Sequence, residues 1–296
     1  MHLGPTEIVD TFAEAFRLRY TRLIVTAHDD YWLDAAAKEA AGYSSSVIGC
    51  DCEAGLERKL SADETPDGRV GAALLLFGFA NEQLAKAVVN RTGQCLMTCP
   101  TTAVFDGLSG SSERLPLGKS LRYFGDGYQK SKQIDGRRYW RIPVMDGEFV
   151  VEESLGVEKG IGGGNIIIQA KSLEVALAAA RRGVAAIALL DGAITPFPGG
   201  VARSGSKVGS RYKALRASTA DWFCPTLRGR VESQLPPDAQ SACEIVIDGV
   251  DEGSVSRAMA AAIRAAAGDG VVAISAGNYG GKLGKFHFRL HDVLAG

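Results

Sequence analysis

Histidine is scarce in this 296-residue sequence, with four residues at His2, His28, His287 and His291. They are too few and too scattered to assemble a metal site. No apolar run reaches the roughly 20 residues that a membrane-spanning helix needs. No basic-then-apolar leader opens the chain, so neither a secretory nor a membrane segment is expected. Charge of one sign is also lacking: 33 basic residues oppose 34 acidic ones, for a net charge of −1. No global field therefore draws the chain to nucleic acid or to a membrane surface. The six cysteines (Cys50, Cys52, Cys95, Cys99, Cys224, Cys243) mostly sit in apolar segments. Cys50-Asp-Cys52 has no second Cys pair and no His at zinc-ligand spacing. These thiols read as reduced, buried residues of a cytoplasmic protein. No repeat of solenoid period is visible. Glycine alone is in excess, at 36 residues against a usual share of about 7 %. It falls in short loops, which points to tight turns and close backbone approaches.

Local patterns alternate between strand and helix. In the first half, residues 11–19 read as a helical turn and residues 23–27 as a strand. A helix follows over 31–41, capped by Asp29 or Asp30 and closed by Gly42. Residues 46–50 read as a strand and 53–66 as a loop, with Thr65-Pro66-Asp67-Gly68 a strong turn. A strand over 72–79, a helix over 82–90 capped by Asn81, and a strand over 95–98 halted by Pro100 complete this half. The second half repeats the order. A strand over 165–170 precedes a helix over 173–182 capped by Ser172 and closed by Gly183. A strand over 185–190, a long glycine-rich loop to about Arg230 and a strand over 243–248 follow. Asp251 or Glu252 opens a helix of about 254–267, and the last strand spans 271–275. Between the halves, residues 119–153 alternate and are broken by Gly125-Asp126-Gly127 and Asp135-Gly136, a β-hairpin pattern that includes a strand over 120–124. Two successive βαβ–βαβ units predict an α+β fold of two ferredoxin-like lobes from an internal duplication, with inserted β-hairpins. The lobes are placed at residues 1–148 and 149–296.

Three motif matches fail on context. Gly160-Ile161-Gly162-Gly163-Gly164-Asn165 precedes a strand instead of linking a strand to a helix, so it is not a dinucleotide loop. Ala276-Gly277-Asn278-Tyr279-Gly280-Gly281-Lys282-Leu283 lacks the glycine and hydroxyl positions of a phosphate loop. Ser204-Gly205-Ser206-Lys207 lies in a loop and has no Lys-Thr-Gly partner. Cys243-Glu244-Ile245-Val246-Ile247-Asp248 stands out instead. Cys243, Ile245 and Ile247 alternate with Glu244, Val246 and Asp248, and both faces are largely apolar, as in an interior strand. A carboxylate among Ile and Val is costly to charge; its pKa rises, favouring the protonated form that a general acid needs. Thr195-Pro196-Phe197-Pro198-Gly199-Gly200 is rigid and then permissive. It runs into Arg203, Lys207, Arg211 and Lys213, candidate anchors for an acidic ligand tail.

Eight segments, in order along nearly the whole chain, resemble the formylmethanofuran–tetrahydromethanopterin formyltransferase family. They are Asp10-Thr-Phe-Ala-Glu-Ala-Phe16, Glu64-Thr-Pro-Asp-Gly-Arg69, Gly93-Gln-Cys-Leu-Met-Thr98, Phe124-Gly-Asp-Gly-Tyr-Gln129, Pro196-Phe-Pro-Gly-Gly200, Ser206-Lys-Val-Gly-Ser210, Glu244-Ile-Val-Ile247 and Ile274-Ser-Ala-Gly-Asn-Tyr-Gly-Gly-Lys-Leu-Gly284. The resemblance implies two ferredoxin-like lobes. It also implies reversible formyl transfer between the amine of methanofuran and N5 of tetrahydromethanopterin, with these carriers as co-substrates and no tightly bound cofactor or metal. Near-neutral charge and Ala/Arg richness are similar to the bacterial form, a subunit of a formyltransferase/hydrolase complex whose partner releases formate. A homo-oligomer, other complex subunits or both are the partners so implied. In the family the glutamate opening the Glu-Ile-Val-Ile strand lies at the formyl group, which carries to Glu244. Thr101, Thr102 and Asn278 are candidate substrate-binding residues, with oxyanion donors sought among the backbone N–H groups of 100–102 and 275–278. Lys207, Arg203 or Arg211 would meet the acidic carrier tails, Ser206 is a further candidate substrate-binding residue, and Phe124, Phe197 and Tyr279 are candidates for stacking on a pterin or furan. A non-catalytic carrier-binding scaffold subunit is the alternative. A ferredoxin-like nucleic-acid binder needs a basic stripe and exposed sheet aromatics that neutral charge and apolar strands do not favour.

Overall fold

A computed structural model describes all 296 residues. The chain divides into two compact units, Leu18–Gly160 on the one hand and Met1–Arg17 with Ile161–Gly296 on the other. They differ from the 148/149 division in where residues 1–17 and 149–160 fall.

In the unit of residues 18–160, the strand Phe12–Thr26 leads to helix Asp30–Ala40 and the hairpin of strands Glu53–Leu60 and Gly71–Gly78. Helix Asn81–Arg91 and strand Ala103–Asp106 follow. Gly71–Gly78 pairs with Glu53–Leu60 on one side and with Phe12–Thr26 on the other, and Ala103–Asp106 takes the next place, all antiparallel. The sheet order 2-3-1-4 of a βαββαβ chain is the ferredoxin-like arrangement. The other unit repeats it with strand Ser154–Ala170, helix Leu173–Ile187, strands Ala193–Ile194 and Ser241–Gly249, helix Glu252–Ala266 and strand Val271–Ser275. Its pairings are again antiparallel in the order 2-3-1-4. The inserted hairpins are present in the first unit as Lys130–Ile134, Arg137–Val144 and Gly147–Glu152. Asp135 (φ 49°) and Gly136 (φ 78°) form the two-residue turn between the first pair, the left-handed geometry that matches strand twist.

Each lobe has its own apolar core. In the first, Leu23, Val25, Leu74 and Leu76 meet Leu33, Leu84 and Val88 of the helices. In the second, Ile166, Ile168, Ile245 and Ile247 meet Ala176, Ala180, Ala258, Met259 and Ile263. Helix Leu173–Ile187 buries Ala176, Ala179, Ala180, Gly183 and Ile187, one stripe at helical spacing.

Several local expectations are corrected. Residues 11–19 are strand, not helix. Ala13 and Ala15 are buried and pair with Phe288 and Phe286, and pairing overrides the helical preference of Ala, Glu and Arg. Residues 46–50 form turns, and the second strand is Glu53–Leu60, expected as loop. It is an edge strand whose Lys59 reaches Asp34 at 2.8 Å and whose Arg58 reaches Glu64 at 2.7 Å, while its buried Glu57 pairs with Arg22 at 2.6 Å. Residues 95–98 are not a strand; Thr92–Leu96 prolongs the helix as a π turn, and the strand follows Pro100 as Ala103–Asp106. Residues 120–124 are helical turns. The cap of helix Asn81–Arg91 is Ala80; the Asn81 side chain instead accepts from Arg19 and donates to Glu113. Residues 185–190 are not a strand, because the helix continues through Gly183 to Ile187. Gly183 is a contact point, not a stop: a Cβ there would lie 2.8 Å from Ile245 Cδ1. No helix is long and apolar enough to cross a membrane.

Gly183→Val should therefore destabilise the second lobe by about 1–3 kcal/mol through overpacking. Urea denaturation reads this as a lower midpoint; an unchanged midpoint would mean the helix can lift off Ile245 freely.

Candidate active site

Glu244 lies within an antiparallel sheet, and its residue neighbours follow from register. Ile167 is its cross-strand partner, and Ser275 is the partner of Ile167 on the next strand. Glu244, Ile167 and Ser275 thus form one row on one face, while Cys243, Ile245 and Ile247 enter the helix-backed core. Strand Ala193–Ile194 covers the other side of Ser241–Gly249 only at Gly249 and Asp248. The exposed backbone edge at Glu244 is taken instead by Ala202, which exchanges both hydrogen bonds with it at 2.8 and 2.9 Å. The Pro196-Phe-Pro-Gly-Gly200 turn delivers Ala202 to this edge. Gly199 (φ 64°) and Gly200 (φ 76°) are both left-handed, and a Cβ on Gly200 would lie 2.6 Å from Val184. Only glycine lets the turn rest on the helix there.

Past Ala202 the chain crosses the carboxyl group. A Cβ on Gly205 would lie 3.9 Å from Glu244 Oε2 and 3.1 Å from the Cβ of Ala220. No ion pair compensates the carboxyl, and burial pushes it up to about 7. Near neutral pH Glu244 is held between acid and base forms, as a proton-transfer group requires.

The basic loop is less uniform than its sequence suggests. Lys207 Nζ donates to Asp221 Oδ2 at 2.5 Å and lies 5.7 Å from the centre of the Trp222 ring. Lys207 is therefore committed within the chain. Arg203 is exposed and forms no ion pair; burial raises the Cys243 thiol, and the Arg203 charge partly offsets this. Ser206 is exposed and Phe197 partly buried.

Two residues that sequence reasoning did not single out shape the loop carrying Asn278 and Tyr279. Glu14 is 1 % exposed. Its carboxylate accepts from the backbone N–H groups of Tyr279, Gly281, Leu283 and Gly284 at 2.6–2.8 Å. Burial alone would raise its pKa, but the four donors outweigh it and the net shift is downward. Asn165 donates to the carbonyls of Gly163 and Gly277 at 3.1 Å and accepts from Gly277 N at 2.6 Å. Asn278 Nδ2 donates to Phe12 O at 3.2 Å, and Tyr279 lies 6.1 Å from the Phe16 ring. The available signal for Glu14 was its place in the Asp10–Phe16 segment; reading that segment as helix hid its inward direction. Gly163, in the rejected glycine motif, is a strand bulge (φ 90°) whose N–H donates to Asp248 at 3.0 Å.

Thr101, Thr102 and Phe124 belong to the unit of residues 18–160, whereas Glu244, Phe197, Arg203, Ser206, Lys207, Asn278 and Tyr279 belong to the other. Thr101 has a left-handed backbone (φ 68°). Its N–H donates to Asp146 at 2.6 Å, its hydroxyl accepts from His28 N at 3.0 Å and its carbonyl accepts from Arg69. The buried Thr102 hydroxyl donates to Leu96 O at 2.6 Å. Both line a cleft of about 260 Å³ with His28, Arg69, Cys99, Asp146 and Phe149. Phe124 is 68 % exposed in the helical turn that precedes the hairpin insertion.

Comparison with known proteins identifies the lineage. Residues 1–144 match the family model for formylmethanofuran-tetrahydromethanopterin formyltransferase, and residues 147–293 match that for its proximal lobe. This chain belongs to that family. The formylmethanofuran–tetrahydromethanopterin formyltransferase of Methylococcus capsulatus is 52 % identical over 100 % of both chains. A subunit of the formyltransferase/hydrolase complex of Methylorubrum extorquens is 47 % identical over 99 % of this chain and 97 % of its own. Among solved structures, the Methanosarcina barkeri formyltransferase matches with a TM-score of 0.94 at 46 % identity, covering 99 % of this chain and 100 % of its own. A chain of the Methylorubrum extorquens formyltransferase/hydrolase complex with methylofuran matches with a TM-score of 0.96 at 47 % identity, covering 99 % and 98 %. Both family lobes are thus present across the full chain.

Glu14→Gln should loosen the 276–284 loop, since an amide offers one acceptor oxygen where the carboxylate offers two. A loss of about 2–4 kcal/mol is expected. The folded-state pKa is depressed, so the carboxylate's contribution is present above its unfolded pKa and lost as pH falls through the folded one. Urea titrations at pH 7 and pH 3 check this: the gap between wild type and variant should shrink in acid, and a constant gap contradicts it.

Proposed function

We propose that this chain is a formyltransferase moving a formyl group between the amine of methanofuran and N5 of tetrahydromethanopterin. The observation that carries this reading is Glu244, a carboxyl titrating near neutrality with no ion-pair partner, in a chain aligned end to end with formyltransferases. Attack of the acceptor nitrogen on the formyl carbon forms a C–N bond and an oxyanion. Collapse of that intermediate breaks the donor C–N bond, and the leaving nitrogen takes a proton. Glu244, protonated at the start, supplies that proton; its carboxylate then recovers one from the incoming amine. Orientation of two bound carriers provides much of the acceleration.

Hydrogen bonding narrows the oxyanion donors. The N–H groups of Tyr279, Gly281, Leu283 and Gly284 are taken by Glu14, that of Gly277 by Asn165 and that of Thr101 by Asp146. Within the unit that carries Glu244, the N–H groups of Ala276 and Asn278, beyond the end of strand Val271–Ser275, are the backbone candidates that remain. Arg203, unpaired and exposed, is the better cation for an acidic carrier tail than the committed Lys207, with Ser206 beside them. Phe197, Tyr279 and Phe124 are proposed to stack on carrier rings.

A scaffold role alone is disfavoured by the conjunction of full-length similarity to formyltransferases with an uncompensated Glu244. The Methylorubrum relative is a complex subunit, and this chain is proposed to assemble with itself or with hydrolase-complex subunits in the cytoplasm. We also propose residues 1–148 and 149–296 as the duplicated halves.

The test is formyl transfer by the purified chain, followed by pterin absorbance. Glu244→Gln should lower turnover by roughly 10²–10⁴-fold with little change in KM; a loss below tenfold removes Glu244 from the chemistry. Turnover that needs the acid form should decline as pH rises through about 7. The stability sign is opposite to that of Glu14. A raised folded-state pKa means no penalty below the ordinary carboxylate pKa and a growing one as pH rises to about 7, where the charged form of this half-buried carboxyl stays poorly solvated. Glu244→Gln should therefore raise the melting temperature more at pH 8 than at pH 5, and an equal rise at both would exclude a buried charge as the cause.

A further inference from the structure

The face that carries Glu244 also carries a buried amide. Gln169 is 1 % exposed. It lies two residues from Ile167, the cross-strand partner of Glu244, and its own lateral partners are Ala242 and Ala273. Both partners are small, so the long Gln169 side chain has no bulky neighbour beside it in its own row. Its diagonal neighbour across the adjacent strand is Glu244, and diagonal positions are within reach of two long side chains. Gln169 Nε2 donates to Ser275 Oγ at 2.8 Å, which fixes the amide from the side away from Glu244. Gln169 Oε1 is buried without a hydrogen-bond donor. Buried carbonyl oxygens are seldom left so, and the missing partner is a donor. A neutral carboxyl has one in its O–H; a carboxylate has none.

We infer that Gln169 is a positioning residue for Glu244, its Oε1 accepting the O–H of the neutral carboxyl while Ser275 holds the amide in place. This rests on Glu244 being the proton-transfer group. A hydrogen bond made only to the neutral form favours that form, so the amide adds to burial in keeping the acid protonated and aims its oxygen. Asp248, four residues along the same face and buried, accepts from Gly163 N at 3.0 Å, and the nearer groups around Glu244 bring little charge. Ile167 and Val246 are apolar, Ser275 is neutral, and the overlying loop contributes Gly205 and Ala220. Asp221 and Lys207 beyond them pair with each other. Cys243 points to the opposite face, and Arg203, beside Cys243, is exposed.

The pH profile of kcat for formyl transfer tests the assignment, with Glu244 titrated in parallel by infrared difference spectroscopy of its carbonyl band. In Gln169→Leu the high-pH limb and the carbonyl titration should both move to lower pH by about 0.5–1 unit, with kcat at pH 8 reduced roughly 3–10-fold and KM within about twofold. A structural role alone lowers the melting temperature and leaves both titrations in place, which would overturn the assignment. An upward shift would also overturn it, because it would put the amide NH₂ toward the carboxylate. Should Gln169→Leu fail to fold, Ser275→Ala carries the test: a downward shift supports the anchored amide and an unmoved limb rejects it. Full turnover in Glu244→Gln would sink the reading beneath this one, whatever Gln169 does. An inactive Glu244→Gln with an unmoved Gln169→Leu limb would sink only the Gln169 assignment.

Discussion

Desolvation of a carboxyl group is the constraint around which the second lobe is built, and the lobe meets it in two opposite ways. Glu14 and Glu244 are the same side chain on strands of one unit. Glu14 is surrounded by four backbone N–H donors and stays charged, its pKa below the carboxylate range. Glu244 is given neither an ion pair nor a backbone donor, and its pKa climbs to about 7. Hydrogen bonds to a charged form and bare burial act with opposite sign on the same group. The first carboxylate therefore works as an anion-binding knot that ties Tyr279 to Gly284. The second is left poised to give and take a proton. A protein gains no stability from a carboxyl like Glu244, which accords with the proton-transfer role proposed for it.

The duplication is symmetric in topology but not in polarity. The third strand of the first lobe is Gly71–Gly78, Gly-Ala-Ala-Leu-Leu-Leu-Phe-Gly, buried throughout. The third strand of the second lobe carries Glu244 and Asp248 among its isoleucines. Two buried carboxylates of the first lobe are compensated by neighbours: Asp106 Oδ1 accepts from the N–H groups of Leu108 and Gly156 and Asp106 Oδ2 lies 2.7 Å from Arg114, and Glu152 accepts from Arg137 Nε at 2.7 Å and from Asp106 N at 2.9 Å. Such networks fix a hairpin in place. The short strand Ala193–Ile194 completes the asymmetry. Had it run the length of its counterpart Glu53–Leu60, it would occupy the edge at Glu244, and Ala202 with its following loop could not reach the carboxyl.

The parts legible in the sequence were those where local pattern and tertiary contact agree. Cys243–Asp248 alternates, sits in a sheet and faces as its alternation demands. The helices capped by Asp29, Ser172 and Asp251 begin where a side-chain oxygen meets a free N–H. Errors came where distant contact overrides local preference. Ala13, Glu14 and Ala15 look helical until Phe286 and Phe288 pair with them. Glu53–Leu60 looks like a loop because four charges break its apolar pattern, although Glu53 and Glu57 are buried. Gly183 looks like a stop because the Ile245 side chain that requires its missing Cβ lies 62 positions away in sequence. The same limit applies to the site. Glu244 could be picked out by the cost of its surroundings, but Glu14, Asn165 and Gln169 act through partners that only folding brings near.

Asn165, Ile167 and Gln169 show why that face matters as a unit. They alternate with Ile166, Ile168 and Ala170 on a single strand, so one side of the strand is pure core and the other carries two amides around one isoleucine. Asn165 makes three hydrogen bonds and pins Gly277, setting where the Ala276 and Asn278 N–H groups point. Gln169 donates to Ser275 and keeps a buried Oε1, proposed as the acceptor for the O–H of the neutral carboxyl. Ile167, between them and directly opposite Glu244, presents no polar atom to the carboxyl, and its hydrocarbon helps keep water and charge away from it. Replacing Ile167 with a polar residue would stabilise the Glu244 carboxylate and lower its pKa; replacing either amide would loosen a loop or strip an oxygen. The reactivity of Glu244 is thus a property of its neighbours on the strand, set by the period-two geometry that places amide, isoleucine and amide on one side of the sheet.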